Sequence, residues 1–216
     1  MVYYIEMFNA GTADPLTTFF TILSFLIAIG LVISVHEASH AYLANLRGDP
    51  TARLAGRMTL NPVAHIDPLG TIIVPFLLLI FGGFIFGWAK PTPINPLNFR
   101  HPRRDSALVA FGGPASNFLL AIVFSIIYRL FPNNLLILIV QLNLILGIFN
   151  LIPIPPLDGY RVVMGFLPRE TAASLATLET YGPMFLLLFL FVFVLILAPV
   201  LSWAISFLTT ILTGVP

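Results

Sequence analysis

Thr17-Thr-Phe-Phe-Thr-Ile-Leu-Ser-Phe-Leu-Ile-Ala-Ile-Gly-Leu-Val-Ile-Ser-Val35 runs for 19 residues without a charge and leads straight into His36-Glu37-Ala38-Ser39-His40. A helix needs about 20 mostly apolar residues to cross ~30 Å of hydrocarbon, so the stretch reads as a membrane helix, continuous from about Thr17 to Asn45, with ionisable groups at its end. The whole chain has the same character. Of 216 residues 58% are hydrophobic, 13% aromatic and only 9% charged, and the mean hydropathy is +0.99. A soluble fold would need roughly a quarter of its residues charged, which excludes water-soluble enzymes. A net charge of +1 offers no footprint for nucleic acid, and the absence of cysteine removes disulfides, thiolate metal sites and Cys nucleophiles.

Further charge-free runs lie between Asp67 and Lys90, Asp105 and Arg129, and Arg129 and Asp158. The last follows Glu179 for 37 residues, about 55 Å as one helix and too long for a single crossing, so it should divide near Pro199. The expected fold is an all-α polytopic membrane protein with five to six transmembrane helices. It forms one domain over 1–216 without a separate soluble domain. The start, MVYYIEMFNAGTADP, has no basic region of the kind that opens a signal peptide.

His36 and His40 stand four residues apart and so share one helix face, where both imidazoles can reach one tetrahedral metal, while Glu37 stands beside its open position. With 4 His and 9 acids in 216 positions, H-E-x-x-H arises by chance in roughly 0.3% of such chains. Ionisable groups within a span are costly and usually mark a site. A third ligand must come from His65, Asp67, His101, Asp105 or Asp158. Asp158 is the strongest, because it follows Asn150-Leu-Ile-Pro-Ile-Pro-Pro-Leu157, where three prolines break a membrane helix. Irregular backbone at membrane depth survives only where it is buried in protein or lines a wet cavity. Asp67 and Asp105 read as loop residues.

These residues carry a resemblance. HEASH on a membrane helix, Gly112-Gly113-Pro114-Ala115-Ser116-Asn117 in a middle span, and Asn150 with Leu157-Asp158-Gly159 after a later one resemble the three signatures of the site-2 protease family, the intramembrane zinc metalloproteases. Met58–Gly70 and Gly87–Pro96 resemble segments of the short members that lack PDZ and CBS domains. The resemblance implies that His36, His40 and Asp158 bind Zn²⁺, that Glu37 is the catalytic base, and that Asn117 and Asn150 are substrate-binding groups near the scissile peptide. It also implies a transmembrane protein substrate within the lipid bilayer.

Two other classes use the same cluster: a membrane metal-ion transporter, and a catalytically inactive adaptor. A transporter would be expected to show matched broken helices in two halves, which this chain lacks, and an inactive adaptor to have lost Glu37 or a ligand.

Topology follows from charge. If the first four hydrophobic runs all cross, the basic residues divide six to four between the two faces, and HEASH and Asp158 point to opposite sides. If residues 71–89 instead enter and return as a re-entrant or hairpin segment, as Pro75, Gly82, Gly83 and Gly87 permit, nine basic residues share one face against Arg129 alone. HEASH and Asp158 then converge. This predicts an extracytoplasmic N-terminus and an active site facing the cytoplasm. Within the segment, Phe81–Trp88 is Gly-rich and aromatic enough for a hairpin whose edge could hold an unwound substrate strand.

Overall fold

The computed structural model describes residues 14–74, 77, 87–176 and 197–215, and among them every regular element is helical. In chain order these are α1 (Pro15–Leu46), α2 (Thr51–Leu54), α3 (Pro102–Leu130), α4 (Asn134–Asn150), α5 (Asp158–Phe166), α6 (Arg169–Ala176) and α7 (Ala198–Thr213). Short turns of tighter or wider helix lie at Pro62–His65, Pro68–Ile73 and Pro96–Asn98.

Local chemistry sets the helix ends. Asp14 accepts from the Thr17 N–H at 3.4 Å and Pro15 opens α1, where its missing N–H costs nothing. Pro102 opens α3, and the Asp105 carboxylate in its first turn reaches back to the His101 N–H at 2.9 Å. Asn133 caps α4 through the Leu136 N–H, and Gly214, with φ of 81°, closes α7 in the left-handed region that glycine tolerates.

Among the described residues α1, at 32, and α3, at 29, are long and apolar enough to cross a membrane. α4 and α7 are shorter apolar helices. Their packing is that of a membrane protein, because polarity is reversed between inside and outside. Ala28 and Val32 of α1 meet Leu138, Ile139 and Leu142 of α4, and Ala121 of α3 meets Val140 and Leu144. Asn117, Asn143, Ser34 and Ser125 are buried among them, whereas Leu16, Phe19, Phe20, Leu26 and Ile27 of α1 are exposed. A contiguous apolar face of that kind would be costly in water and is at home in lipid.

The ends of the 71–87 stretch meet. The Trp88 N–H donates to the Gly70 carbonyl at 3.1 Å, and the Thr71 hydroxyl donates to the Trp88 carbonyl at 2.9 Å. The hairpin expected at Phe81–Trp88 lies, apart from Gly87 and Trp88, outside the described residues.

Candidate metal centre

His36 and His40 lie one turn apart on the buried face of α1, with ring centroids 4.7 Å apart and planes at 84°. Their Nε2 atoms are 3.1 Å apart, and Asp158 Oδ2 lies 3.1 Å from the first and 3.2 Å from the second. Three potential ligand atoms therefore form a nearly equilateral triangle. The far side of each ring decides what the triangle can hold. His40 Nδ1 faces the Val109 carbonyl at 2.8 Å, so it carries the proton and Nε2 presents a lone pair. His36 Nδ1 faces Asn117 Oδ1 at 2.6 Å, with the same result. Asp158 Oδ2 is buried and has no hydrogen-bond donor. Two lone pairs and a carboxylate oxygen turned upon one another repel, unless a cation stands among them. Ligand atoms at about 2.0–2.2 Å from a tetrahedral zinc stand roughly 3.3–3.6 Å apart, so the triangle fits that ion with little movement.

Small residues and a broken helix bring the three together. A methyl group on Gly113 of α3 would lie 2.4 Å from His40 Nε2 and 2.6 Å from His36 Cε1. On Gly112 it would lie 2.2 Å from Leu43 Cδ1, so both glycines are needed for α3 to approach α1 at the level of the histidines. α4 stops at Asn150, and after the turn at 151–157 Asp158 stands as the first residue of α5. The carboxylate is thus presented by a helix start, not by the unwound end of the helix before it. Gly159 makes this possible, since a Cβ there would lie 2.2 Å from the Leu151 carbonyl oxygen.

Glu37, one step round α1, is held from a different quarter. Thr92, buried in the loop before α3, donates to Glu37 Oε2 from its N–H at 3.0 Å and from its hydroxyl at 2.6 Å.

The family model for peptidase family M50 matches residues 24–133 and 129–197, spanning α1 through α6 and every residue of this centre. The chain belongs to peptidase family M50. YwhC of Bacillus subtilis, named as a zinc metalloprotease, is 41% identical over 180 residues, covering 76% of this chain and 79% of its own. Rip2 of Mycolicibacterium smegmatis, with the same kind of name, is 30% identical over 158 residues, covering 69% and 60%. Rip2 of Mycobacterium tuberculosis H37Rv is 30% identical over 170 residues, covering 72% and 61%, so this chain spans about three fifths of the Rip2 proteins. No solved structure matches. The M50 protein is accordingly a zinc metalloprotease and a membrane protein, with a buried group able to hold its metal.

Elsewhere in this M50 chain the other candidate ligands have separate occupations. Asp67 accepts from the N–H groups of Leu69 and Gly70 and shapes a turn. Asp105 pairs with Arg47 at 3.8 Å besides bonding His101 N–H. His65 Nε2 faces the Thr59 carbonyl at 2.9 Å, and His101 is exposed. Asn117 has no exposed surface, and its amide is divided between His36, Asn143 and the Val32 carbonyl. Asn150 is half-buried and donates to the Leu146 carbonyl of its own helix at 3.0 Å. The sequence reading missed Asn143, Thr92 and the Val109 carbonyl. The uncharged, largely apolar helix around Asn143 was a signal, since an amide there must find a partner; Thr92 gave none.

Proposed function

We propose that this chain hydrolyses peptide bonds within or beside the transmembrane segments of membrane protein substrates, with His36, His40 and Asp158 as zinc ligands and Glu37 as general base. The observation that carries the reading is the triangle of unprotonated ligand atoms buried beside Glu37. When bound, zinc supplies a Lewis acid and an acidified water. Glu37 holds one carboxylate oxygen, Oε2, on Thr92, which leaves Oε1 to take the proton from the attacking water and pass it to the leaving amine. The position of Asn117, bonded to His36 and fully buried, supports a role in orienting that ligand in place of the expected contact with substrate. Asn150, half-buried with its Oδ1 turned from its own helix bond, is the better substrate-binding group.

The reading extends to topology. A crossing segment has its ends some 30 Å apart, whereas Gly70 and Trp88 are hydrogen-bonded, which supports a re-entrant 71–89 stretch over a fifth or sixth crossing. Together with nine basic residues on one face against Arg129, this favours a multi-pass protein of the cell membrane with its centre open to the cytoplasm.

Purified protein in lipid, given zinc and a transmembrane peptide, tests the proposal. Cleavage should vanish with a chelator and in Glu37→Gln. Metal flux across a sealed vesicle without cleavage would support the transporter instead.

A further inference from the structure

We propose that Thr92 is a positioning residue for Glu37, clamping Oε2 through two donors so that Oε1 alone is left to accept protons; this rests on the function proposed above. Thr92 stands between Pro91 and Pro93, neither of which has an N–H, so its own is the only backbone donor of the tripeptide, and it is directed at Glu37 at 3.0 Å. The hydroxyl adds a second bond at 2.6 Å, shorter than its 3.2 Å approach to the Glu37 carbonyl, so its single proton goes to the carboxylate. Prolines on both sides limit the backbone of Thr92 from either direction.

The loop itself is tied down at both ends. Before Thr92, the Lys90 N–H donates to the His65 carbonyl at 2.9 Å and Arg57 donates to the Lys90 carbonyl at 2.5 Å. After it, the Asn95 N–H donates to Asp49 Oδ2 at 2.7 Å. A glutamate has three side-chain torsions, and without the clamp its carboxylate would swing through positions unsuited to proton transfer. The clamp reaches Glu37 from a loop that supplies no ligand to the triangle, so it should act on proton transfer and leave metal binding alone.

The test uses the zinc-loaded full chain with acetohydroxamic acid, which binds a metal as its anion after its N–O–H proton passes to a base, here Glu37 Oε1. Thr92→Val keeps the N–H and nearly the same volume but loses the hydroxyl; Thr92→Ser keeps both donors. Calorimetry should show hydroxamate affinity about tenfold lower in Thr92→Val and within about twofold of wild type in Thr92→Ser, with zinc content and melting temperature unchanged. On a Glu37→Gln background, Thr92→Val should add nothing. In peptide cleavage, Thr92→Val should lower kcat about tenfold at unchanged KM. Wild-type hydroxamate affinity in Thr92→Val, or equal loss in Thr92→Ser, overturns the proposal. So does loss of zinc or of fold in Thr92→Val, which would make the residue a tether. The hydroxamate measurement needs no turnover: the expected pattern without peptide cleavage keeps Thr92 in its role and overturns the intramembrane protease reading, while cleavage indifferent to Thr92→Val does the reverse.

Discussion

Asn117 donates to Asn143 across the α3–α4 interface at 2.9 Å, and neither side chain has any exposed surface. The direction of that bond is decided further out, where the Asn143 amide nitrogen donates to the Ile139 carbonyl at 2.8 Å and so turns Oδ1 towards Asn117. Asn117 must then present its nitrogen to Asn143 and its oxygen to His36. One backbone carbonyl thereby selects the His36 tautomer that leaves Nε2 free for a metal. Asn143→Leu should lower zinc affinity about tenfold, measured by competition with a chelating dye, although Asn143 touches no ligand. Unchanged affinity would show that Asn117 holds His36 without help.

Metal content separates ligands from base. About one zinc per chain is expected, lost in His36→Ala, His40→Ala or Asp158→Ala and retained in Glu37→Gln, because Glu37 is no member of the triangle. Elemental analysis of the purified variants decides this, and full zinc in Asp158→Ala would move the third ligand elsewhere.

Gly113→Ala places a methyl group 2.4 Å from His40 Nε2. α3 must withdraw or the ring must turn, at a cost of about 1–3 kcal/mol and with loss of the metal. Zinc titration and thermal melting of the variant read the two effects separately.

Asp49, buried in the loop just after α1, gives a pH prediction. Burial acts to raise its pKa, but donors on Thr51, Asn98 and Asn95 outweigh it and hold the carboxyl below its ordinary value. A depressed folded value contributes stability that is complete above the unfolded value of about 3.9 and is lost as pH falls through the folded one. Asp49→Asn should therefore melt several degrees lower at neutral pH, with the difference from wild type shrinking in acid below about pH 4. A difference that is constant across that range would assign the loss to packing.

Asn98 Nδ2 lies 3.4 Å from Thr51 Oγ1, which puts the loops on either side of the 71–89 stretch together. Leu54 and Leu97 are 77% and 88% exposed, and the chain has no cysteine of its own. Leu54→Cys and Leu97→Cys should both be shielded from an impermeant thiol reagent outside intact cells. Labelling of both would place the centre on the outer side, and labelling of one alone would mean that 71–89 crosses.

Membrane character, the long helices α1, α3 and α4 and the paired histidines were legible in the sequence, because each depends on neighbours in the chain. Nineteen uncharged residues can satisfy their backbone in lipid only as helix, and the four-residue spacing in HEASH aligns two imidazoles on whatever helix carries them. The role of Asp158 as third ligand was legible by resemblance, whereas the GGP signature was legible as important but not in what it does. Gly113 matters because a Cβ there would lie 2.4 Å from the ring of His40, a residue more than 70 positions away in the chain. Asp158 was preferred in the sequence over His65, Asp67, His101 and Asp105 for its place after the proline-broken helix, but only the fold shows it beside the two imidazoles and gives each of the others another partner or an exposed place. The partners of Asn143 and Thr92 were beyond sequence reasoning: which carbonyl or carboxylate a polar side chain meets depends on the packing of distant segments, and a one-residue rotation of α4 or a shift of the 90–95 loop would have given them different ones. Charge-free length determined the spanning helices and the four-residue spacing the candidate ligand pair; only tertiary packing decided the tautomers, the approach of Asp158 to that pair and the hold on Glu37.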